Sequence, residues 1–572
     1  MSVASGLTVD CGRGVSARVA PLLRSPEGVR TLPDPAATVT GGGSSVDAIW
    51  PDGLRLQLVA ESQASGCRLS VHAHATRRLV VDAVGIRLDT NAATRILVDG
   101  YHSWDWAGLR DVTAPGRGWW GALLGTPGAT PTLSISLAET PTLGALSLEW
   151  EGTGHLDALS TGEPRQLRDR TASSEPLRQV LGRGASLRGD AIRLAAVDPR
   201  GSAGVGLPAL QPGDQQPRHR RAGWMSWNCL GGDVCGADVL DAVQTLVPDG
   251  GVALLDDGWM PWWGDWRERD DFDTSIAELA AAVRDSGRVL GLWLAPFLVD
   301  PRSEAATLHA GLVLRDATGE AIVDRRPASP QLVLDASREA ARAHLADLGA
   351  RFAAAGVGVL KLDFLYAAAL PAIRQRGWSG VRALREGMRS LVDAYRAQAP
   401  RGAAVWACGG PAPPLVGLVD ACRSGGDAVI NVPNAGAEPP PPPWFVHGEA
   451  TIRAQTRNFA ARAWLWGSTV PPDVDAVTLG AVGYTAPLDD ALVERWLELA
   501  ARSGGPMLDS DEPTASTILP ERMDALRKAQ AAALGARPRP ARPVDPLGGR
   551  PAPMDDAVFL AWPAELPASW DR

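Results

Sequence analysis

Val357-Gly358-Val359-Leu360-Lys361-Leu362-Asp363 begins one glycine after an Ala/Leu/Arg-rich segment, residues 337–355, that has helical spacing. A helix leading into a short apolar run of this kind reads as one unit of an α/β protein with a parallel sheet. Side chains alternate along a strand, so Lys361 and Asp363 share one face and Leu360, Leu362 and Phe364 the other. Only two of the 56 basic residues are lysines, Lys361 and Lys528. Arginine's planar fork cannot replace a compact ammonium where space is tight. A functional charge pair at the end of a buried strand is therefore expected, over a plain ion pair.

The same alternation extends on both sides. Ala222–Trp227, Val252–Asp256, Val289–Ala295, Ala403–Cys408 and Leu418–Arg423 read as further strands, and 275–286 and 380–398 as further helices. The expected architecture is a (β/α)8 TIM barrel over 221–505. A doubly wound open sheet is the alternative, but no Gly-rich nucleotide loop follows a first strand. Residues 1–205 hold short alternating runs, among them Leu69–His74 and Leu133–Leu137, that suit an N-terminal β-sandwich. Residues 211–221 form a polar linker. Residues 506–572 are expected to be a small C-terminal segment with a helix near 520–534 and a short β appendage around Val558–Trp562. Pro439 to Pro443 form a stiff loop within the barrel region.

Composition narrows the function. A net charge of −9 and a pI near 5.5 argue against nucleic acid or an anionic membrane as partner. No apolar run is long enough to span a bilayer, and Met1–Gly6 lacks the features of a signal peptide. Six dispersed cysteines suggest a cytoplasmic protein with reduced thiols. The histidine pair His72 and His74 lies in the β region and is read as structural, so no metal or cofactor is expected. The sequence contains neither a Walker-type phosphate loop nor a Gly-x-Ser-x-Gly elbow. A homo-oligomer and a monomer both remain open.

Tryptophan is the unusual aromatic, with 21 Trp against 4 Tyr and 7 Phe. Seven lie between Trp224 and Trp293, and the run Trp259-Met260-Pro261-Trp262-Trp263-Gly264-Asp265-Trp266 is too polar and broken for a core element. An indole offers a flat apolar face and one N–H donor, which suits sugars. The chemical candidates sit at the C-terminal ends of the expected barrel strands: Trp227, Asp256, Asp257, Trp293, Lys361, Asp363, Trp406, Cys408, Arg423 and Asp427. Paired aspartates in a Trp-lined pocket point to glycosyl transfer through an oxocarbenium-like transition state.

In order along the chain, Asp99–Trp104, Gly223–Trp227, Leu255–Trp259, Gly291–Phe297, Lys361–Tyr366, Cys408–Pro411 and Gly417–Asp427 resemble the α-galactosidases of glycoside hydrolase family 36. The resemblance covers roughly residues 95–510. It implies a retaining hydrolysis of terminal α-galactosyl residues, with Asp363 as nucleophile and Asp427 as acid/base. By the same resemblance Lys361 holds sugar hydroxyls, Arg423 the 2-hydroxyl side, and Asp256 with Asp257 the 4- and 6-hydroxyls. Trp293, Trp406, Cys408 and Gly409 would line the pocket, with Trp104 lent by the β domain. Galactosyl transfer on the same site and a non-catalytic sugar-binding protein are the rival readings. The chain departs from the family at Asp473-Val474-Asp475, where relatives carry Asp-Pro-Asp, so neither aspartate is given a role. The Trp-rich loop and the five prolines find no match.

Overall fold

The protein is represented by a computed structural model. It describes residues 6–90, 93–105, 107–128, 132–164, 176–197, 222–325, 327, 329–428, 449–465, 469–480, 488–513 and 518–535. The expected linker, the proline run and the C-terminal β appendage lie outside the described residues.

Among the described residues, sixteen of the eighteen strands between Leu7 and Val197 form one antiparallel, hydrogen-bonded network, and Leu79–Val81 pairs with Gln179–Leu181 as a separate ribbon. Their burial alternates as the pleat requires; Leu54–Gln63, for example, buries Leu54, Leu56 and Leu58 in turn. Ser16–Ser25 lies against Leu54–Gln63 and Gly66–Ala75, so the network folds back over its own core.

The second sheet is parallel throughout. Its strands are β1 (Ala222–Met225), β2 (Val252–Leu255), β3 (Val289–Leu294), β4 (Val359–Leu362), β5 (Ala404–Ala407), β6 (Ala421–Arg423), β7 (Pro472–Asp473) and β8 (Met507–Asp509). They pair in sequence order, and β8 pairs with β1. A parallel bridge between Val477 and Asp509 brings the chain after β7 onto β8, so the eight strands make a nearly closed barrel. Helices α1 (Gly236–Thr245), α2 (Ile276–Asp285), α3 (Glu339–Ala354), α4 (Gly380–Gln398), α5 (Glu449–Leu465), α6 (Asp490–Arg502) and α7 (Pro520–Gly535) complete it. Serine or aspartate caps start several: Ser275 accepts from the Glu278 N–H, Ser379 from Arg382 and Asp489 from Leu492. Inside the barrel, Met225, Val252, Leu254, Val359, Ala404, Trp406, Ala421, Ala476 and Leu508 fill the floor with apolar side chains. No helix among the described residues is long and apolar enough to cross a membrane.

Three expectations are corrected. The strand read at Leu418–Arg423 begins only at Ala421, because Gly417 takes φ +81° after a short helix, Ala412–Leu415. The strand read at Ala222–Trp227 stops at Met225, and Trp227 opens a one-turn helix. The barrel runs past 505, since β8 occupies Met507–Asp509.

Gly223 marks how tightly β1 sits. A Cβ there would fall 1.9 Å from the Val252 carbonyl oxygen, with further backbone atoms at 2.8 Å. Neither strand can yield within a paired sheet. Gly223→Ala should therefore destabilise the protein by about 1–3 kcal/mol or more. Gly311→Ala, with open space around its Cβ, should not, and thermal unfolding of the two variants compares them directly.

Candidate active site

Asp363 follows β4 directly. Its Oδ2 accepts from the Trp293 indole N–H at 3.1 Å, and its Oδ1 from the Phe364 backbone N–H at 2.7 Å. The second bond exists because Phe364 adopts φ +52°, turning the chain out of the strand. Strand alternation placed the Phe364 ring on the opposite face; instead it packs at 5.0 Å from the Trp263 ring and 5.1 Å from that of Trp104. Lys361, 6 % exposed, donates to Asp256 Oδ2 at 2.7 Å and lies 3.4 Å from Met225 Sδ. The register puts Lys361 beside Trp293 on one side and Trp406 on the other. Burial drives the Asp256 carboxyl upward, and the Lys361 charge opposes it.

Asp257 is held differently. Its Oδ1 accepts from the Trp263 indole N–H at 2.9 Å. Burial pushes its pKa up to about 7 despite that bond, with the Asp256 charge adding to the rise. Trp263 thus joins the site from the Trp-rich loop, with its ring 5.2 Å from that of Trp293. The sequence offered only the density of indoles as a signal for it.

Across the barrel, Arg423 ends β6, 2 % exposed, and meets three carboxylates: Asp475 at 2.7 Å, Asp427 at 3.1 Å and Asp473 at 3.2 Å. Register alignment of Arg423 with Asp473 supplies one of these, and Asp475 arrives two residues later in a left-handed conformation, φ +71°. One guanidinium cannot balance three carboxylates. Asp427, at the mouth, is pushed up to about 6 by partial burial and by the Asp475 charge, against the pull of Arg423. The sequence gives Asp473 and Asp475 no role; both join the candidate site through Arg423.

The β-rich layer contributes Trp104. Its indole N–H donates to Cys408 Sγ at 3.3 Å, and a Cβ on Gly409, φ +66°, would meet the indole at 2.9 Å. Cys408 feels the charges of Asp363, Arg423, Lys361 and Asp427, so the Trp104 indole meets the charged groups of the barrel at this thiol. The loop carrying Trp104 is fixed by Arg462 of α5, 1 % exposed. Its guanidinium donates to Asp99 Oδ1 at 2.8 Å, to the His102 and Asp105 carbonyls at 2.9 and 3.0 Å, to the Ser103 carbonyl, and to the Ser424 carbonyl at 2.8 Å. Gln455, also of α5, donates to the Gly426 carbonyl beside Asp427. Trp406 sits with the barrel-floor side chains, and Trp227, half-buried, packs against them. No group of three or more metal-ligating side chains occurs among the described residues.

No family model matches the chain. Among solved structures it is similar to the α-galactosidase TtGalA from Thermus thermophilus in complex with p-nitrophenyl α-D-galactopyranoside, at 23 % identity and a TM-score of 0.62 over 83 % of this chain and 92 % of that one. It is also similar to the family 36 α-galactosidase AgaA from Geobacillus stearothermophilus, at 14 % identity and a TM-score of 0.60 over 91 % and 78 %. The galactosidase domain of the α-galactosidase-sucrose kinase AgaSK gives 14 % and 0.57 over 92 % and 74 %. The chain has the fold of the family 36 α-galactosidases. Within that fold, its site is built from strand ends of the barrel and one loop of the N-terminal layer.

The Lys361–Asp256 pair gives a test independent of any substrate. Lys361→Met should leave a buried carboxylate without its cation and cost up to about 3–5 kcal/mol. Adding Asp256→Asn should restore most of that loss in denaturant unfolding.

Proposed function

We propose that this protein is a retaining α-galactosidase that hydrolyses terminal α-D-galactosyl residues of oligosaccharides or simple glycosides. The observation that carries the reading is the contrast between two carboxyls facing one Trp-lined pocket. Asp363 has an N–H donor on each oxygen. Asp427 shares a single guanidinium with two other carboxylates. The first arrangement suits a nucleophile fixed in orientation, the second a group that keeps its proton. Environments that push two carboxyls toward different roles are how glycosidases divide the work. The fold shared with known α-galactosidases supports the same substrate class.

In the proposed cycle an Asp363 oxygen attacks the anomeric carbon as the glycosidic C–O bond breaks, and Asp427 gives its proton to the departing oxygen. Asp427, now ionised, takes a proton from water; the water oxygen attacks the anomeric carbon and Asp363 leaves as a carboxylate. Asp256 and Lys361 form a charged wall, and in this reading the buried Asp257 carboxyl, held by Trp263, accepts from the axial 4-hydroxyl of galactose. A substrate lacking that hydroxyl in position would leave a buried acceptor unmatched, at a cost of about 1–3 kcal/mol.

Asp363→Gly should abolish turnover, and azide should restore part of it as a β-galactosyl azide. NMR of the wild-type reaction should show α-galactose as the first product; β-galactose first would mean inversion, and no release of galactose would reject the activity.

The pH profile supplies a second test. The acid must be protonated in the free enzyme, so kcat/KM should fall as pH rises through about 6. Asp475→Asn removes a charge that holds the proton on Asp427 and frees Arg423 to favour the ionised form. Both effects lower the Asp427 pKa, so the basic limb should move to lower pH. Asparagine tolerates the left-handed backbone at this position, so the shift can be read in a folded enzyme.

A further inference from the structure

Beside Trp263 the preceding residue does something else. Trp262 is 37 % exposed, among the few large apolar side chains left in solvent, and the Arg302 guanidinium carbon lies 3.6 Å above its ring. Arg302 is itself pinned: its Nε and Nη2 donate to Asp300 Oδ1 and Oδ2 at 2.9 and 2.8 Å, and its backbone N–H donates to the same carboxylate at 2.9 Å. Asp300 is buried, and Ser329 and Gln331 also donate to it, at 3.3 and 3.2 Å. The Asp300 backbone N–H bonds the Trp263 carbonyl at 2.8 Å. The exposed indole is therefore tied through Asp300 to the residue whose own indole holds Asp257, one Cα step of about 3.8 Å away.

If Arg302 served only to neutralise Asp300, it would not need an exposed indole beneath it. The stack instead presents a flat apolar surface edged by guanidinium donors, because Nη1 has no hydrogen-bond partner among the described residues. C–H faces of a pyranose pack on indoles, and its hydroxyls accept from guanidinium N–H groups. Such a surface, one residue from the indole that holds Asp257, suits the next sugar of the same chain.

We propose that Trp262 and Arg302 form the subsite that binds the saccharide leaving group of the substrate. This rests on the α-galactosidase reading, and it assigns part of the Trp-rich loop to recognition of the aglycone.

The test compares raffinose, which carries a disaccharide leaving group, with α-galactosyl fluoride, which carries none. Trp262→Ala should lower the ratio of kcat/KM for raffinose to that for the fluoride by about tenfold or more. Arg302→Met should lower it several-fold, and Trp262→Tyr, which keeps a stacking ring, should stay within about twofold of wild type. A ratio unchanged in Trp262→Ala overturns the subsite, whether both substrates suffer equally or neither does. A wild type that cleaves the fluoride but not raffinose overturns it too, while leaving the catalytic assignment standing. A wild type that cleaves neither rejects the α-galactosidase reading together with the subsite.

Discussion

The site depends on a buried cation that touches none of its reacting groups. Arg462 gathers the side chain of Asp99, three carbonyls of the loop that carries Trp104, and the carbonyl of Ser424 next to Arg423. Buried carbonyls and a buried carboxylate are costly without donors, and one rigid fork with five N–H groups satisfies them together. The arginine thereby fixes the position of an N-terminal aromatic relative to the end of a barrel strand more than 300 residues away. A lysine could supply the charge but not the spread of donors.

Charge in the pocket follows a simple division. Near β4 the cation and its partner are matched one to one, Lys361 with Asp256, and the pair is sealed by burial. Near β6 the match is one to three, and the excess negative charge raises the pKa of Asp427. The two halves of the barrel mouth thus differ in their cation, a lysine with one bonded carboxylate and an arginine with three.

Much of this was legible in the sequence because strand ends in a parallel barrel converge. The candidate residues at the C-terminal ends of β2, β3, β4, β5 and β6 are readable from where apolar runs stop. What escaped notice lacked a periodic signal. β7 and β8 are two and three residues long, too short for any pattern to register. Phe364 broke the alternation through a left-handed backbone that no residue type announces. Asp473 and Asp475 looked like a departure from a motif because their value lies in facing Arg423, a relation set by register and not by spacing. Arg462 sits within a helix of ordinary composition, and only the tertiary structure reveals what its side chain joins.

The pairing of β8 with β1 has a consequence for how the molecule is made. Gly223 and Leu508 are register partners, so the barrel's first strand waits for nearly its last described one. During synthesis from the N-terminus, the antiparallel layer can complete itself while seven parallel strands still have two open edges. Unpaired edges of apolar strands are templates for association with other chains. Closure of the ring is then the most non-local strand pairing among the described residues and a slow one. In a crowded cell, the exposure of this chain to aggregation is set by the interval before residues 507–509 emerge and dock.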